Sequence, residues 1–333
     1  KLESSYGMSF GENKDIFIYG GILTAEGGDA DDSWQGSIYN TQSTEDADTY
    51  GYIKSNYRLS AFLRYDSFSC NTFFLKLNPK SNNLWAQRPD FRYSILAVRP
   101  KYILNFNDEN ALDLMLSGEW QDAGNAESGG AGSKESHEEI KFIYRNTAYA
   151  GHQIALGTLF GLRTFKGEEQ YFSSNYQHWY PMPESEWKEV GLFGEDVLTI
   201  DQWTFSAGLR WDNQIDSRHI VADEGTEYTV PEKGHFSPRI AASYEFDKNT
   251  IVKASYQQGF RYPDANYYMY TKWANDRILS GGGSDQLETL EPETMDSIEC
   301  SISQNIPDYS IGIDFNLFYN KYITPSINIK SSY

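Results

Sequence analysis

The chain has 333 residues, 16% of them aromatic (Tyr 25, Phe 19, Trp 8), and a formal net charge of −19 at pH 7. That charge argues against a nucleic-acid partner, because phosphate binding relies on positive side chains. It suits a solvated acidic exterior or the capture of cations. No run approaches the roughly 18 consecutive apolar residues of a transmembrane helix, which leaves open a membrane barrel, whose alternating strands average out as polar.

Cys70 and Cys300 are the only cysteines and lie far apart in sequence. They read as unpaired, so no disulfide framework is expected. The chain opens at Lys1 without Met or a signal segment, as a mature form or an excerpt would.

In chain order, segments of alternating polarity are predicted near 2–11, 14–25, 51–65, 68–78, 92–107, 111–121, 138–149 and 152–166. Six more follow near 187–200, 203–216, 235–246, 250–261, 291–304 and 309–324. Most match the roughly 9–11 residues with which a tilted strand crosses a bilayer. Leu112, Leu114, Leu116 and Trp120 oppose Asp113, Ser117 and Glu119. Trp203, Phe205, Ala207, Leu209 and Trp211 oppose Thr204, Ser206, Gly208, Arg210 and Asp212. Period two of this kind means strands with one apolar and one polar face. Aromatics near the segment ends (Trp120, Tyr144, Trp187, Trp203, Trp211, Tyr256, Phe260) suggest girdles at the two bilayer surfaces.

The connections carry the strongest signal. Gly11-Glu12-Asn13, Asp66-Ser67, 108–110, Ala150-Gly151, Asp201-Gln202, 247–249 and 305–308 are short. Between them lie the long stretches 26–50, 79–91, 122–137, 167–186, 217–234 and 262–290. Short and long alternate strictly, which in an up-and-down meander puts all short turns at one rim. Outer-membrane barrels have that asymmetry; a soluble sandwich has no reason for it.

The stretch FSPRIAASYEFDKNTIVKASYQQGFRYPD, followed by LEPETMDSIE, resembles the barrel of TonB-dependent outer-membrane receptors. VGLFGEDVLTIDQWTFSAGLRWD is similar to their paired strands ending Gly-Leu-Arg-Tyr-Asp, with Trp211 in place of the Tyr. IDFNLFYNKYITPSI is similar to a later strand carrying Phe-Tyr-Asn. These matches cover about 190–325; earlier residues match in architecture only. The resemblance implies an all-β antiparallel transmembrane barrel. About 14 strands of a 22-stranded wall are expected here, with the plug domain, the first strand and about seven final strands lying outside residues 1–333. Fourteen strands closing by themselves is the competing arrangement. Arg239, Arg261, Glu293 and Glu299 are expected to point inward, where pairing across strands competes with ligand contact.

The function implied is active import across the outer membrane of a Gram-negative bacterium. The expected cargo is a ferric siderophore, with haem, cobalamin or an oligosaccharide behind it. The partners implied are the TonB complex acting through the plug, outer-membrane lipid, lipopolysaccharide and the chelate itself. A passive diffusion channel and a soluble all-β carbohydrate-binding protein are the alternatives. No catalytic constellation is present: neither Gly-x-Ser-x-Gly, nor His-Glu-x-x-His, nor a phosphate-binding loop occurs.

Three long connections hold candidate binding residues. Asp29, Asp31, Asp32, Glu45, Asp46 and Asp48 offer oxygen ligands of the kind Ca²⁺ takes, although the spacing is not an EF-hand and a solvated acidic loop would read the same. Tyr171, Phe172, Tyr176, His178, Trp179 and Tyr180 crowd one stretch, for stacking on ligand or on sister loops. Tyr267, Tyr268, Tyr270, Trp273 and Arg277 could hold an anionic chelate or lie near lipopolysaccharide. His137 and His178 sit beside carboxylates or aromatics, where a metal site competes with plain solvation.

Overall fold

The computed structural model describes residues 2–23, 52–80, 91–125, 133–167, 183–221, 226–229, 234–262 and 292–323. The strands are β1 (Leu2–Ser9), β2 (Lys14–Leu23), β3 (Tyr52–Tyr65), β4 (Phe68–Lys80), β5 (Phe91–Asn107), β6 (Asn110–Asn125), β7 (Ser133–Asn146) and β8 (His152–Gly167). They continue as β9 (Pro183–Ile200), β10 (Trp203–Val221), β11 (Thr226–Thr229), β12 (Gly234–Asp247), β13 (Thr250–Arg261), β14 (Glu293–Ile306) and β15 (Ile311–Ile323). Each is hydrogen-bonded antiparallel to its neighbour in one sheet that runs from β1 to β15, with β11 paired to β10 beside the path. Among the described residues the sheet does not close on itself, since no pairing joins β1 to β15.

The strand expectations hold, with longer upper ends. β6, β7, β9 and β10 extend into stretches expected to be connections, and β11 lies inside one. β10, with 19 residues, reaches about 60 Å at 3.3 Å per residue, well beyond what a bilayer requires. The predicted short turns are where they were expected. Asn13, Asp66 and Asp201 adopt positive φ there, which Asn and Asp tolerate better than most residues. Gly151 (φ 79) has a second reason to be glycine, since a Cβ would lie 2.6 Å from the Thr199 carbonyl oxygen.

There is no dry centre. Ala97, Leu159 and Phe165 are the only buried apolar side chains among the described residues. Large apolar groups instead line one outer face: Leu59, Phe160, Leu192, Leu209, Ile240 and Phe315 are all exposed. A water-soluble chain rarely leaves so extended an apolar surface wet, whereas lipid covers it at no cost. Near the short-turn rim this face carries an aromatic run. Trp203 stacks on Phe205 (5.4 Å) and touches Tyr244 (4.7 Å), and Tyr244 meets Phe246 edge-on (4.6 Å). Trp187 does not join a girdle. It pairs in register with Arg163 and donates to Glu189 (3.1 Å), which places it on the polar face. Cys70 and Cys300 are free.

Candidate functional site

The polar face is built from alternate residues of the same strands, and neighbouring strands set opposite charges side by side. At the short-turn end of β6, Asp113 is fully buried between Lys101 Nζ of β5 (2.8 Å) and Arg145 of β7. Its oxygens make no well-directed hydrogen bond, so charge holds them. Arg64 reaches Asp15 of β2, and Arg239 of β12 reaches Glu195 of β9. The expected inward charges are thus confirmed for Arg239 and Arg261, the latter pairing with Glu293 at 2.7 Å. Arg239, however, finds its partner on β9, across β10, rather than on a strand adjacent to its own. Only the three-dimensional register reveals that.

Toward the long-connection rim the wall becomes a mixed polar and aromatic surface. Arg163 meets Glu189 (3.0 Å), Arg99 meets Glu119 (3.3 Å), and Arg210 holds Asp212 on its own strand (2.6 Å). Tyr93 donates to Gln121 (3.1 Å), which in turn donates to Glu119 (2.9 Å). His137 belongs to β7 and not to a solvated loop; it pairs with Glu119 on one side and Arg163 on the other. Among the described residues no cluster of His, Cys, Asp or Glu could hold a metal ion. Below this level lies a recess of about 340 Å³ lined by Lys141, Phe193, Glu195, Arg210, Arg239 and Gln257. A second, of about 270 Å³, is lined by small residues such as Ser206, Ala241, Ser243 and Ser255.

Just past β13, Tyr262 donates to the Asp212 carbonyl (3.2 Å) and packs edge-on against Phe260 (4.9 Å). Phe260 in turn contacts His235 (4.4 Å). Burial, then the nearby Asp212 and Glu189 charges, push the Tyr262 phenol up to about 12. A raised acid pKa means the neutral form is favoured by the fold. The stabilisation is therefore complete below the ordinary tyrosine value of about 10 and is lost as pH rises from there to about 12. Comparing thermal unfolding of wild type with Tyr262→Phe between those pH values should show a steeper alkaline loss in wild type. Parallel curves would mean that Tyr262 is solvated.

Such a wall can bind through hydrogen bonds, aromatic faces and paired charges, and its cations are largely neutralised by neighbouring carboxylates. Asp29, Asp31, Asp32, Asp46 and Asp48 lie outside the described residues. So do Tyr171, Phe172, Tyr176, His178, Trp179, Tyr180, Tyr267, Tyr268, Tyr270, Trp273 and Arg277. The strands that flank their connections all end at one rim, the rim that Tyr93, Trp187 and Tyr262 approach from the polar face. The strand pattern alone singles out none of the three on the polar face, although counting by twos from Glu189 places Trp187 there.

A family model described as TonB dependent receptor-like, beta-barrel, matches residues 9–324. No curated protein matches the chain. Among solved structures it is similar to the ferric-catecholate import receptor Fiu of E. coli K12 in its closed form (TM-score 0.61, 11% identity, 96% of this chain, 55% of that one). It is also similar to the FrpB iron transporter of Neisseria meningitidis (TM-score 0.60, 10% identity, 96% and 52%) and to the unliganded ferric citrate transporter FecA (TM-score 0.59, 10% identity, 96% and 51%). The chain thus spans about half the length of the structures it matches, and at such identities the likeness speaks for the fold. With the family model covering nearly the whole chain and the polar and apolar faces disposed as a barrel wall, this chain belongs to the TonB-dependent receptor β-barrel family.

Proposed function

We propose that this wall is part of a receptor in the outer membrane of a Gram-negative bacterium that imports a scarce chelate, a ferric siderophore above all. Transport is driven by TonB through a plug domain seated against the polar face. The observation that carries the reading is the single two-faced sheet: a predominantly apolar exterior, a paired-charge interior, and every short turn at one rim. The three similar structures named above are transporters or import receptors for iron or ferric chelates, which favours iron over other cargo. Ligand capture is assigned to the aromatic connections around Tyr171–Tyr180 and Tyr267–Trp273, and Ca²⁺ to the acidic stretch from Asp29 to Asp48.

Deleting the gene in its host and measuring uptake of iron supplied as catecholate, hydroxamate and citrate chelates tests the assignment. Uptake of one chelate should disappear and return on complementation only while TonB is energised. Unchanged uptake of all three would overturn the iron reading. Steady ion conductance of the purified protein in planar bilayers would favour a passive channel.

A further inference from the structure

The polar face is not uniform near the short-turn rim. On β2 and β3, Phe17 and Phe62 oppose each other in register and are 45% and 36% exposed on the side away from lipid. Phe17 lies over Gly7 of β1, where a Cβ would come within 3.2 Å of its ring, so this patch is low and flat. Just above it, the Arg58 guanidinium sits 5.5 Å from the ring centres of both Tyr19 and Phe73, which extends the aromatic surface to β4. Among the described residues, the strands expose only two further large apolar side chains on this face. They are Phe318 and Tyr322 of β15, at the margin of the sheet.

At the same height above the turns, β10 and β12–β14 present a different surface. Thr204, Ser206, Ala241, Ser243, Ser255 and Ser301 are too short to fill the space between them and leave the recess of about 270 Å³. Lys253 and Glu299 line it as well, and neither takes part in a hydrogen bond or an ion pair. By contrast Asp15, Asp113, Glu139 and Glu195 of the same face are each held by an arginine or lysine. The two surfaces are separated by β5 to β10, so a body drawn to one is drawn away from the other.

Physical chemistry ranks them. Water against a cluster of rings is unfavourable, and covering the rings with an apolar neighbour recovers that cost. Lys253 and Glu299 would instead give up water without gaining a partner in the wall. The occupant is the plug domain already assigned to this face. A compact globular body presents apolar as well as polar surface, and this wall matches only about half of each similar structure, which leaves chain enough there to form one.

We propose that the plug sits off-centre, its apolar side seated on Phe17, Phe62, Phe73 and the stack of Tyr19 and Arg58. The aqueous route to the short-turn rim then runs along β12–β14. The inference rests on the receptor reading, which supplies the plug.

Cysteine labelling of the full-length receptor in outer-membrane vesicles of its host reads the asymmetry. In a Cys70→Ser, Cys300→Ser background, Asn71→Cys on β4 and Lys253→Cys on β13 each place one thiol on the polar face. Both positions are exposed in the wall itself, and Asn71 pairs in register with Phe62. The probe is neutral 2-hydroxyethyl methanethiosulfonate, with rates normalised to the same proteins unfolded in urea. The β13 thiol should react about tenfold faster than the β4 thiol, because a seat that opens only transiently protects what it covers. Equal protection of the two thiols, or faster reaction on β4, would overturn the off-centre seat while leaving the plug in place. Reaction of both at their unfolded rates would mean that nothing fills the lumen, and the receptor reading would go as well. Hydroxyl-radical footprinting of the unsubstituted protein needs no variant. After correction for intrinsic reactivity, Phe17 and Phe62 should be oxidised far less than Tyr309 in the last short turn, and oxidation in proportion to their exposure in the wall would refute the seat.

Discussion

Replacing Asp113 with alanine is expected to lower the unfolding free energy by about 3 kcal/mol, the low end of the range for breaking a buried ion pair from one side. Asp113 has no accessible surface and stands between Lys101 and Arg145 on the two flanking strands. Without it, two like charges face each other across β6 with nothing between them. Their side chains keep 26% and 49% exposure, so water takes up part of the imbalance and the cost stays near the lower bound. Asp113→Asn should fall between, because it keeps the shape and loses the charge. Urea unfolding of the full-length receptor in lipid would measure both. Lys166→Met, which breaks the exposed pair with Glu184 (2.6 Å), is the control and should leave stability nearly unchanged. If Asp113→Ala costs no more than that control, the carboxylate is solvated and the account of the network fails.

The second large effect comes from two adjacent residues of β12. Ile240 is 59% exposed on the apolar face, between Phe236 toward one rim and Tyr244 toward the other. Ala241 faces the opposite side and lines the smaller recess. Ile240→Arg places a guanidinium near the bilayer midplane and should cost about 2–4 kcal/mol. Ala241→Arg adds the same group to a polar, hydrated surface and should be close to neutral. Refolding into vesicles, followed by the heat-dependent gel shift typical of barrels, would rank them. A soluble protein predicts the reverse indifference, since an arginine replacing an exposed isoleucine costs nothing in water. Equal tolerance of the two substitutions would therefore remove the membrane from the description.

The two faces were legible because period two is a local property: each strand shows its apolar side without reference to any other. The turns were legible for the same reason. Asn13, Asp66, Asp201 and Gly151 are residues that accept positive φ, and they occur where the alternation breaks. Strand ends were less legible. Above the bilayer the polar alternation of Ser133 to Glu138 no longer contrasts with a solvated loop, so the pattern alone starts β7 near residue 138 and leaves His137 in a connection. Trp187 is ambiguous for a related reason: nearness to a strand end suggests a girdle, whereas parity with Glu189 and Phe193 puts it on the polar face. A register shift between Ile215 and Arg218 changes the count in β10, and nothing in those residues announces it.

By itself, then, the sequence settled that the chain is a meander of two-faced strands with all tight turns on one rim, because those features depend on neighbours one to four residues apart. The tertiary structure decided which charges meet. Asp113 lies 12 residues from Lys101 and 32 from Arg145, and Arg239 lies 44 from Glu195. Such pairings follow from the register between strands, which many residues fix together and no short stretch encodes.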